Sequence, residues 1–158
     1  MSPLRYSGRA KFFEVDIPTP VEAKRALVVA GGWDVPEQLP LNLEALNAPG
    51  GAGLIERLEK GCGFDKELPT LFVFEAVFFY CSPGACKGAL VEGALGGEHK
   101  GGVRVVLTDS LVKLGVAPRG PNQEANKAAL KQSLMKDKEL LRHETIWDGA
   151  VHYMDAKL

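Results

Sequence analysis

The chain has 158 residues, of which 46% are hydrophobic and 25% charged, and 19 basic residues face 20 acidic ones for a net charge of −1. This length suits one hydrophobic core, so we expect a single domain over residues 1–158. No basic block stands out, which argues against nucleic acid or anionic lipid as the main partner. The longest apolar run, 71–74, is interrupted by Glu75, so we predict no membrane span.

The cysteines and histidines give no sign of a metal site. The three cysteines are Cys62, Cys81 and Cys86, and the three histidines are His99, His143 and His152. No CxxC pair and no close histidine spacing occurs, so we expect reduced thiols and no bound metal. The first residues lack an apolar signal region, and we expect a cytoplasmic protein, with import into an organelle left open as the alternative.

The first half of the chain alternates strand and helix patterns. It predicts a strand at 11–17 ended by prolines and a helix from 19 or 20 to the glycines at 31 and 32. A weaker strand follows at 39–43, and a short amphipathic helix at 54–60 is ended by Gly61. Gly50, Gly51 and Gly53 invite a phosphate-loop interpretation. That stretch lacks GK[ST] and does not match GxGxxG, so we interpret it as a flexible start of the following helix.

The second half predicts buried strands. The apolar run at 68–80 indicates a strand covered on both faces, and Ser82-Pro83-Gly84 predicts the start of a helix over 85–95. Another buried strand is predicted at 103–109, followed by a helix at 123–141 that Asn122 caps. The tail at 145–154 predicts short strands with a bend at Gly149. Strands alternating with helices predict an α/β fold with a mainly parallel sheet.

Acidic residues end three of the predicted strands: Asp16 with Glu14, then Glu75, then Asp109. Ligands of doubly wound sheets bind at the carboxyl ends of the strands, and a carboxylate there can accept both vicinal hydroxyls of a ribose. Glu75 interrupts an apolar run and would be costly if buried without a partner, so we expect it to face a cleft or a cation. A solvated carboxylate at the rim of the sheet remains the alternative.

Two stretches, FFEVDIPTPVEAKRALV and LPTLFVFEAVFFYCSP, resemble motifs of the methyltransferase group that contains leucine carboxyl methyltransferase and its bacterial relatives. In that group FEVD-x-P closes the second strand and PT-x-x-x-x-E-x-x-x-x-Y marks the fourth, while LPLNLEAL lies where an Asp-Leu pair usually follows the third. The resemblance implies a class I S-adenosylmethionine-dependent enzyme fold, Rossmann-like, with a mainly parallel sheet and helices on both faces.

Carried over to this chain, the resemblance implies a site for S-adenosylmethionine. Asp16 would hold the ribose hydroxyls of S-adenosylmethionine, and Asn42 and Leu43 would approach the adenine, with Asn42 replacing the family's aspartate. Glu75 would lie beside the methionine part of the cofactor. Tyr80 belongs to the motif, in a packing or a substrate role. No catalytic residue is assigned.

The chain departs from the family before Lys11. Family members carry a glycine-rich strand and turn there, whereas only ten residues precede Lys11, and Ser7-Gly8 does not replace that turn. We therefore expect an N-terminally truncated relative, a partial methyltransferase-like domain missing the family's first strand. Three alternatives follow: residues 12–16 pair directly with 71–75, another chain fills the gap, or the chain is part of a larger protein.

The sequence leaves more than one function open. The first hypothesis is an O-methyltransferase or carboxyl methyltransferase acting on a small-molecule or protein acceptor, by in-line displacement that depends mainly on positioning. The second is a non-catalytic structural or interaction subunit of a larger assembly, and the third is another nucleotide-binding α/β module. Enzymatic activity is thus undecided. A homo-oligomer or a partner subunit covering the open sheet is expected.

Overall fold

A computed structural model describes residues 10–135 and 138–158 of the chain. In this part the elements are β1 Phe13–Asp16, α1 Pro18–Ala30, β2 Glu37–Pro40, α2 Leu54–Cys62, β3 Thr70–Glu75, α3 Pro83–Cys86, β4 Val103–Asp109, α4 Gln123–Leu134, β5 Glu139–Ile146 and β6 Val151–Lys157. Three 3-10 turns, Leu43–Asn47, Phe78–Tyr80 and Val112–Leu114, and a π-helix, Lys87–Ala94, complete them. The fold is mixed α/β, as the alternating pattern predicts.

The strands form two separate sheets. β1 and β2 pair in parallel, and the larger sheet has the order β3-β4-β6-β5. β3 and β4 are parallel, whereas β6 runs antiparallel to both β4 and β5. The prediction of a mainly parallel sheet is therefore wrong for the larger sheet. For β5 and β6 the reason is their connection, because only four residues, 147–150, join them, and a turn this short can connect only antiparallel strands.

The direct pairing of residues 12–16 with 71–75 is not found. In the described residues β1 pairs with β2 and β3 pairs with β4, so an edge of β1 and an edge of β3 remain open. An apolar groove of about 750 Å³ separates these two edges. We call it the strand groove, and its walls include Phe13 and Val15 of β1 and Phe72 and Phe74 of β3.

The larger sheet buries only one of its faces. Alternate residues of β4, Val103, Val105 and Leu107, join Leu90 of the π-helix and Leu130 of α4 in the main core. On the opposite face Leu71 is 57% exposed and Val73 is 64% exposed. The predictions of a strand covered on both faces and of helices on both faces are therefore wrong for this sheet in the described residues. A continuous apolar run leads to burial of both faces of a strand only where another element packs on each face.

A smaller core lies beside α2 and links the two sheets. Leu54 and Leu58 of α2 pack there with Phe64. The Phe64 ring contacts Phe13 of β1 edge-on, with centroids 5.5 Å apart, and lies 6.3 Å from the Phe72 ring of β3. The two strands that border the groove therefore share one packing partner.

Several element ends differ from the sequence predictions. The helix α2 continues past Gly61 to Cys62 and is capped by Gly63, which adopts a left-handed conformation with φ of 64°. The apolar run at 68–80 gives a strand of six residues followed by a 3-10 turn. α4 ends at Leu134, not Leu141, because residues of the expected last turn belong to β5 and pair with β6. Strand β1, helix α1 and strand β4 are confirmed to within about two residues.

Candidate functional site

The ends of β1 and β2 bring Asp16 and Asn42 close together. Leu41 donates its backbone N–H to the Asp16 carbonyl at 2.7 Å, which continues the ladder between the two strands up to the residue before Asn42. Both side chains are exposed. The Asp16 carboxylate accepts only from its neighbour Ile17 N in the described residues, at 2.7 Å, so most of its acceptor capacity is open to a ligand.

Asn42 and Leu43 begin the 3-10 turn after β2. The Asn42 side-chain oxygen accepts from Glu44 N at 3.0 Å and caps this turn, which leaves the amide NH₂ to donate elsewhere. Leu43 is half-buried and packs against both hydrophobic cores. Only part of the Leu43 side chain therefore faces solvent and could contact a ligand.

Glu75 is exposed at the end of β3, and the chain changes direction directly after it. Ala76 has a φ of 52°, which is unusual for a residue with a Cβ. The next two backbone N–H groups, of Val77 and Phe78, donate to the carboxylate of Asp109 at 2.6 and 2.7 Å. Asp109 is fully buried, so this third strand-end acid serves the backbone of the turn and is not available to a ligand.

Lys113 fixes the rest of this turn from the opposite side. Its ammonium group donates to the carbonyls of Phe78 at 3.1 Å, Phe79 at 3.0 Å and Cys81 at 2.5 Å. Tyr80 lies within the segment that Lys113 binds, 78–81, yet the residue is 86% exposed. A packing role for Tyr80 therefore does not agree with its exposure.

A hydrogen-bonded bridge joins the turn after β2 to the turn after β3. Ser82 donates its N–H and its hydroxyl to the two carboxylate oxygens of Glu44, at 2.7 and 2.6 Å. The hydroxyl and then the backbone N–H of Ser82 lower the pKa of Glu44. The carboxyl ends of β2 and β3 therefore lie on the same side of the molecule. Sequence reasoning missed Glu44 and Lys113, although the Ser-Pro start of a helix at Ser82 was a usable signal for a partner near that helix.

The thiols near this bridge are poor nucleophiles. Burial raises the pKa of the Cys81 thiol, and it raises the pKa of Cys86 to about 11. Both therefore stay protonated at neutral pH. Within residues 10–135 and 138–158, no group of three or more His, Cys, Asp or Glu side chains is placed to hold a metal ion. No helix in the same ranges is long and apolar enough to cross a membrane.

The glycine stretch before α2 lines a second cavity, of about 420 Å³, with Lys87 and Glu92 on its other side. Gly53 is the N-cap of α2, which confirms the interpretation of this stretch as the start of a helix. Lys87 forms an ion pair with Glu92 at 3.0 Å, so its charge is already matched.

An α/β protein with exposed carboxylates and an amide at the ends of parallel strands is of the class that binds ligands at that edge of its sheet. The family model of leucine carboxyl methyltransferase matches residues 3–92, more than half of the chain. The chain belongs to the leucine carboxyl methyltransferase family, and a methyltransferase-like function follows in general terms. No curated protein and no solved structure matches the chain.

Proposed function

We propose that the chain binds S-adenosylmethionine at the carboxyl ends of β1, β2 and β3 and acts as an O-methyltransferase or carboxyl methyltransferase. The observation that carries this proposal is the exposure of Asp16 and Glu75 at the ends of β1 and β3, together with the Glu44–Ser82 bridge, which joins the turn after β2, the partner of β1, to the turn after β3. We also infer that the two sheets are parts of one Rossmann-like arrangement, which the parallel pairs β1-β2 and β3-β4 support.

The side chains on β1 and β2 suit an adenosine group. The Asp16 carboxylate can accept from two vicinal ribose hydroxyls, because among the described residues only Ile17 N donates to it, and to one of its oxygens. The Asn42 amide can donate to a ring nitrogen of adenine, and the exposed part of Leu43 can contact the face of the ring. Asp16, Asn42 and Leu43 would therefore hold the adenosine part of the cofactor.

Glu75 suits the charged part of the cofactor. S-adenosylmethionine supplies a methyl group bonded to a positively charged sulfur. The Glu75 carboxylate at the end of β3 would hold the cofactor's ammonium group or this sulfonium by charge attraction. Tyr80, exposed on the clasped turn, can contact the acceptor. A carboxylate acceptor needs no strong general base, so these residues act by binding and positioning.

The second candidate function is a non-catalytic subunit of a larger assembly. The strand groove favours it, because the edges of β1 and β3 border an open channel beside the proposed site. A ligand at the proposed site, between the ends of β1 and β3, meets fewer backbone N–H donors than it would beside a continuous sheet. Binding of the cofactor without methyl transfer would support this second function.

A thermal shift assay tests the proposal. At a ligand concentration of 100 times Kd, binding stabilises the folded state by about 2.7 kcal/mol, which raises the Tm by several degrees in a chain of this size. We expect S-adenosylmethionine and S-adenosylhomocysteine to raise the Tm, and Asp16→Asn to remove the shift. Asp34→Asn, which changes another exposed aspartate in the loop after α1, is the matched control and should keep it.

Two further outcomes decide between the functions. If millimolar S-adenosylhomocysteine leaves the Tm unchanged, the cofactor site is absent and the proposal fails. If the shift occurs, transfer of labelled methyl groups to a panel of carboxylic acids and peptides separates the enzyme from the non-catalytic subunit. Asp16→Asn should then reduce transfer in proportion to its loss of binding.

A further inference from the structure

The turn between β5 and β6 contains a strained and exposed tryptophan. Residues 147–150, which we call the hairpin tip, join the two strands. Asp148 and Gly149 have φ values of 53° and 84°, and Ala150 N–H donates to Trp147 O at 3.0 Å, which is the type I′ turn that an Asp-Gly pair favours. Trp147 precedes this pair, yet it also has a positive φ, of 51°, which is an outlier for a bulky residue. Trp147 is 72% exposed, so burial of its ring does not offset the strain, and such strain is typical of functional positions.

The hairpin tip is fixed to the loop that precedes α4. A Cβ at Gly149 would lie 2.7 Å from Gly120 O, so the absence of a side chain lets the two backbones meet. Asn126 is fully buried beneath this contact, and its side-chain oxygen accepts from Arg119 N–H at 2.9 Å. The amide nitrogen of Asn126 donates to Gly120 O at 3.0 Å and to Thr145 Oγ1 at 3.3 Å. The backbones of Arg119 and of the hairpin tip are therefore held by one buried amide.

The guanidinium group of Arg119 lies on this fixed loop and is exposed. Its Nη1 donates to Ala117 O at 3.3 Å, within the same loop. Among residues 10–135 and 138–158 it forms no ion pair, and Asp148 on the hairpin tip is not bonded to it. A guanidinium group can donate two parallel hydrogen bonds to a carboxylate, and a tryptophan ring beside it offers a flat apolar surface.

Strand pairing places the hairpin tip at the edge of the sheet where the proposed cofactor site lies. His152, near the start of β6, pairs with Asp109 at the end of β4, and Glu75 at the end of β3 pairs with Thr108 of β4. The start of β6 therefore lies at the carboxyl ends of β3 and β4. β4 separates β3 from β6, so the two strands are two spacings, or about 10 Å, apart.

We propose that Arg119 and Trp147 form a binding site for a carboxylate carried on an apolar or aromatic body. The guanidinium group of Arg119 binds the carboxylate, and the ring of Trp147 covers the body of the ligand. This ligand is the part of the methyl acceptor that lies about 10 Å from the methylated oxygen, so the acceptor is an elongated dicarboxylic acid. The identification with the acceptor rests on the function proposed above, whereas the binding of the carboxylate does not.

NMR spectroscopy of the intact chain tests the carboxylate site without the cofactor. The chain has two tryptophans, Trp33 and Trp147, so its spectrum contains two indole N–H signals, which Trp33→Phe assigns. We expect 4-phenylbutanoate to shift the Trp147 signal saturably and to leave the Trp33 signal nearly unchanged. 4-Phenylbutanamide has the same body without the charge and should bind at least tenfold more weakly.

Variants of the arginine identify the group that binds the carboxylate. Arg119→Gln should weaken the binding of 4-phenylbutanoate about tenfold, and Arg119→Lys should weaken it less, because lysine keeps the charge and loses the planar pair of donors. Arg25→Gln changes another exposed arginine, on α1, and is the matched control. It should leave the affinity within about twofold.

Trp147→Gly separates a ligand contact from a structural role of the ring. Glycine adopts a positive φ without strain, so the Tm of this variant should equal or exceed that of the wild-type chain. Its affinity for 4-phenylbutanoate, followed through the amide signal of Gly120, should fall about tenfold. A lower Tm with unchanged affinity would mean that the ring stabilises the fold and does not contact the ligand.

Three results of these titrations would overturn the carboxylate site. They are no saturation of the Trp147 signal up to about 10 mM ligand, equal affinity for acid and amide, or unchanged affinity in Arg119→Gln. The acceptor assignment is tested by methyl transfer, where decanedioic acid should have at least tenfold higher kcat/KM than its monoamide. Equal values would refute the assignment. If neither compound is methylated, the proposed function fails and the assignment with it, while the titrations still decide whether the carboxylate site exists.

Discussion

A pair of histidines at the β5–β6 ladder should make stability depend on pH. His143 Nε2 and His152 Nδ1 lie 3.0 Å apart, and His152 is fully buried. The other ring nitrogens, His143 Nδ1 and His152 Nε2, are buried without a partner in the described part of the chain. Burial, and secondarily the nearby His143, lowers the pKa of His152 from 6.5 to about 4, and burial also lowers the pKa of His143. Both rings are therefore neutral in the folded state at pH 7.

The sign of the effect follows from the lowered pKa. Between pH 6.5 and about 4 the unfolded chain binds a proton at residue 152 that the folded chain does not bind. The free energy of unfolding therefore falls as the pH falls through this range. The difference between 6.5 and about 4 corresponds to about 3 kcal/mol from His152 alone, and this contribution is lost as the pH falls to about 4. The hydrogen bond from Arg104 lowers the pKa of Asp155 below its ordinary value of 3.8, so the loss from this carboxylate comes at more acidic pH.

Urea denaturation at several pH values from about 7 to 4.5 measures this effect. The wild-type free energy of unfolding should fall steadily across the range. His152→Phe should be less stable at pH 7, because His143 loses its partner, but its free energy of unfolding should change much less with pH. His99→Phe, which changes a histidine outside the pair, should keep the wild-type slope.

The slope decides the outcome, not the absolute stability. If His152→Phe keeps the full wild-type dependence on pH, the buried pair is not its source. The same conclusion would follow if the imidazole of His152 titrated near its ordinary pKa in the NMR spectrum of the folded chain.

Two further predictions concern the turn after β3. Asp109→Ala should lower the free energy of unfolding by about 3 kcal/mol, because Val77 N–H and Phe78 N–H lose their buried acceptor. Asp109→Asn should lower it by less. Urea denaturation measures both losses, and equal losses would argue against the backbone role of the carboxylate. Lys113→Met should lower the free energy of unfolding by about 1 kcal/mol and speed amide hydrogen exchange around Tyr80. Lys113→Arg should restore part of the protection against exchange. Unchanged exchange in Lys113→Met would show that the hydrogen bonds from Lys113 do not order the turn.

Local signals in the sequence were sufficient for the elements that carry the site. The prolines after Asp16 end β1 and begin α1, and Asn122 caps α4 through its bond with Ala125 N. The apolar run before Asp109 forms β4 as predicted. These features depend on neighbouring residues, so no knowledge of the rest of the fold is needed to find them. The positions of Asp16 and Glu75 at strand ends follow in the same way.

Other features depend on contacts between distant segments. Glu139 and Leu140 continue a helical pattern in sequence, but they pair with Lys157 and Ala156 of β6, which lie more than ten positions later. The exposure of Leu71 and Val73 is also invisible in the sequence, because an apolar run states what a strand prefers to bury and not whether a covering element exists. Lys113 contacts the turn after β3 because the chain reverses at the end of β4, and no local pattern in the sequence specifies that reversal.

Asp109 and Glu75 show why residue type and strand position do not fix a role. Both are acids at the ends of adjacent parallel strands, yet Asp109 is buried and accepts from two backbone N–H groups of the turn, while Glu75 is exposed. The difference arises because β4 lies between two strands and β3 lies at the edge of its sheet. An acid on the inner strand is enclosed by the turn of its neighbour. The acid on the edge strand remains open to whatever occupies the groove and the site beside it.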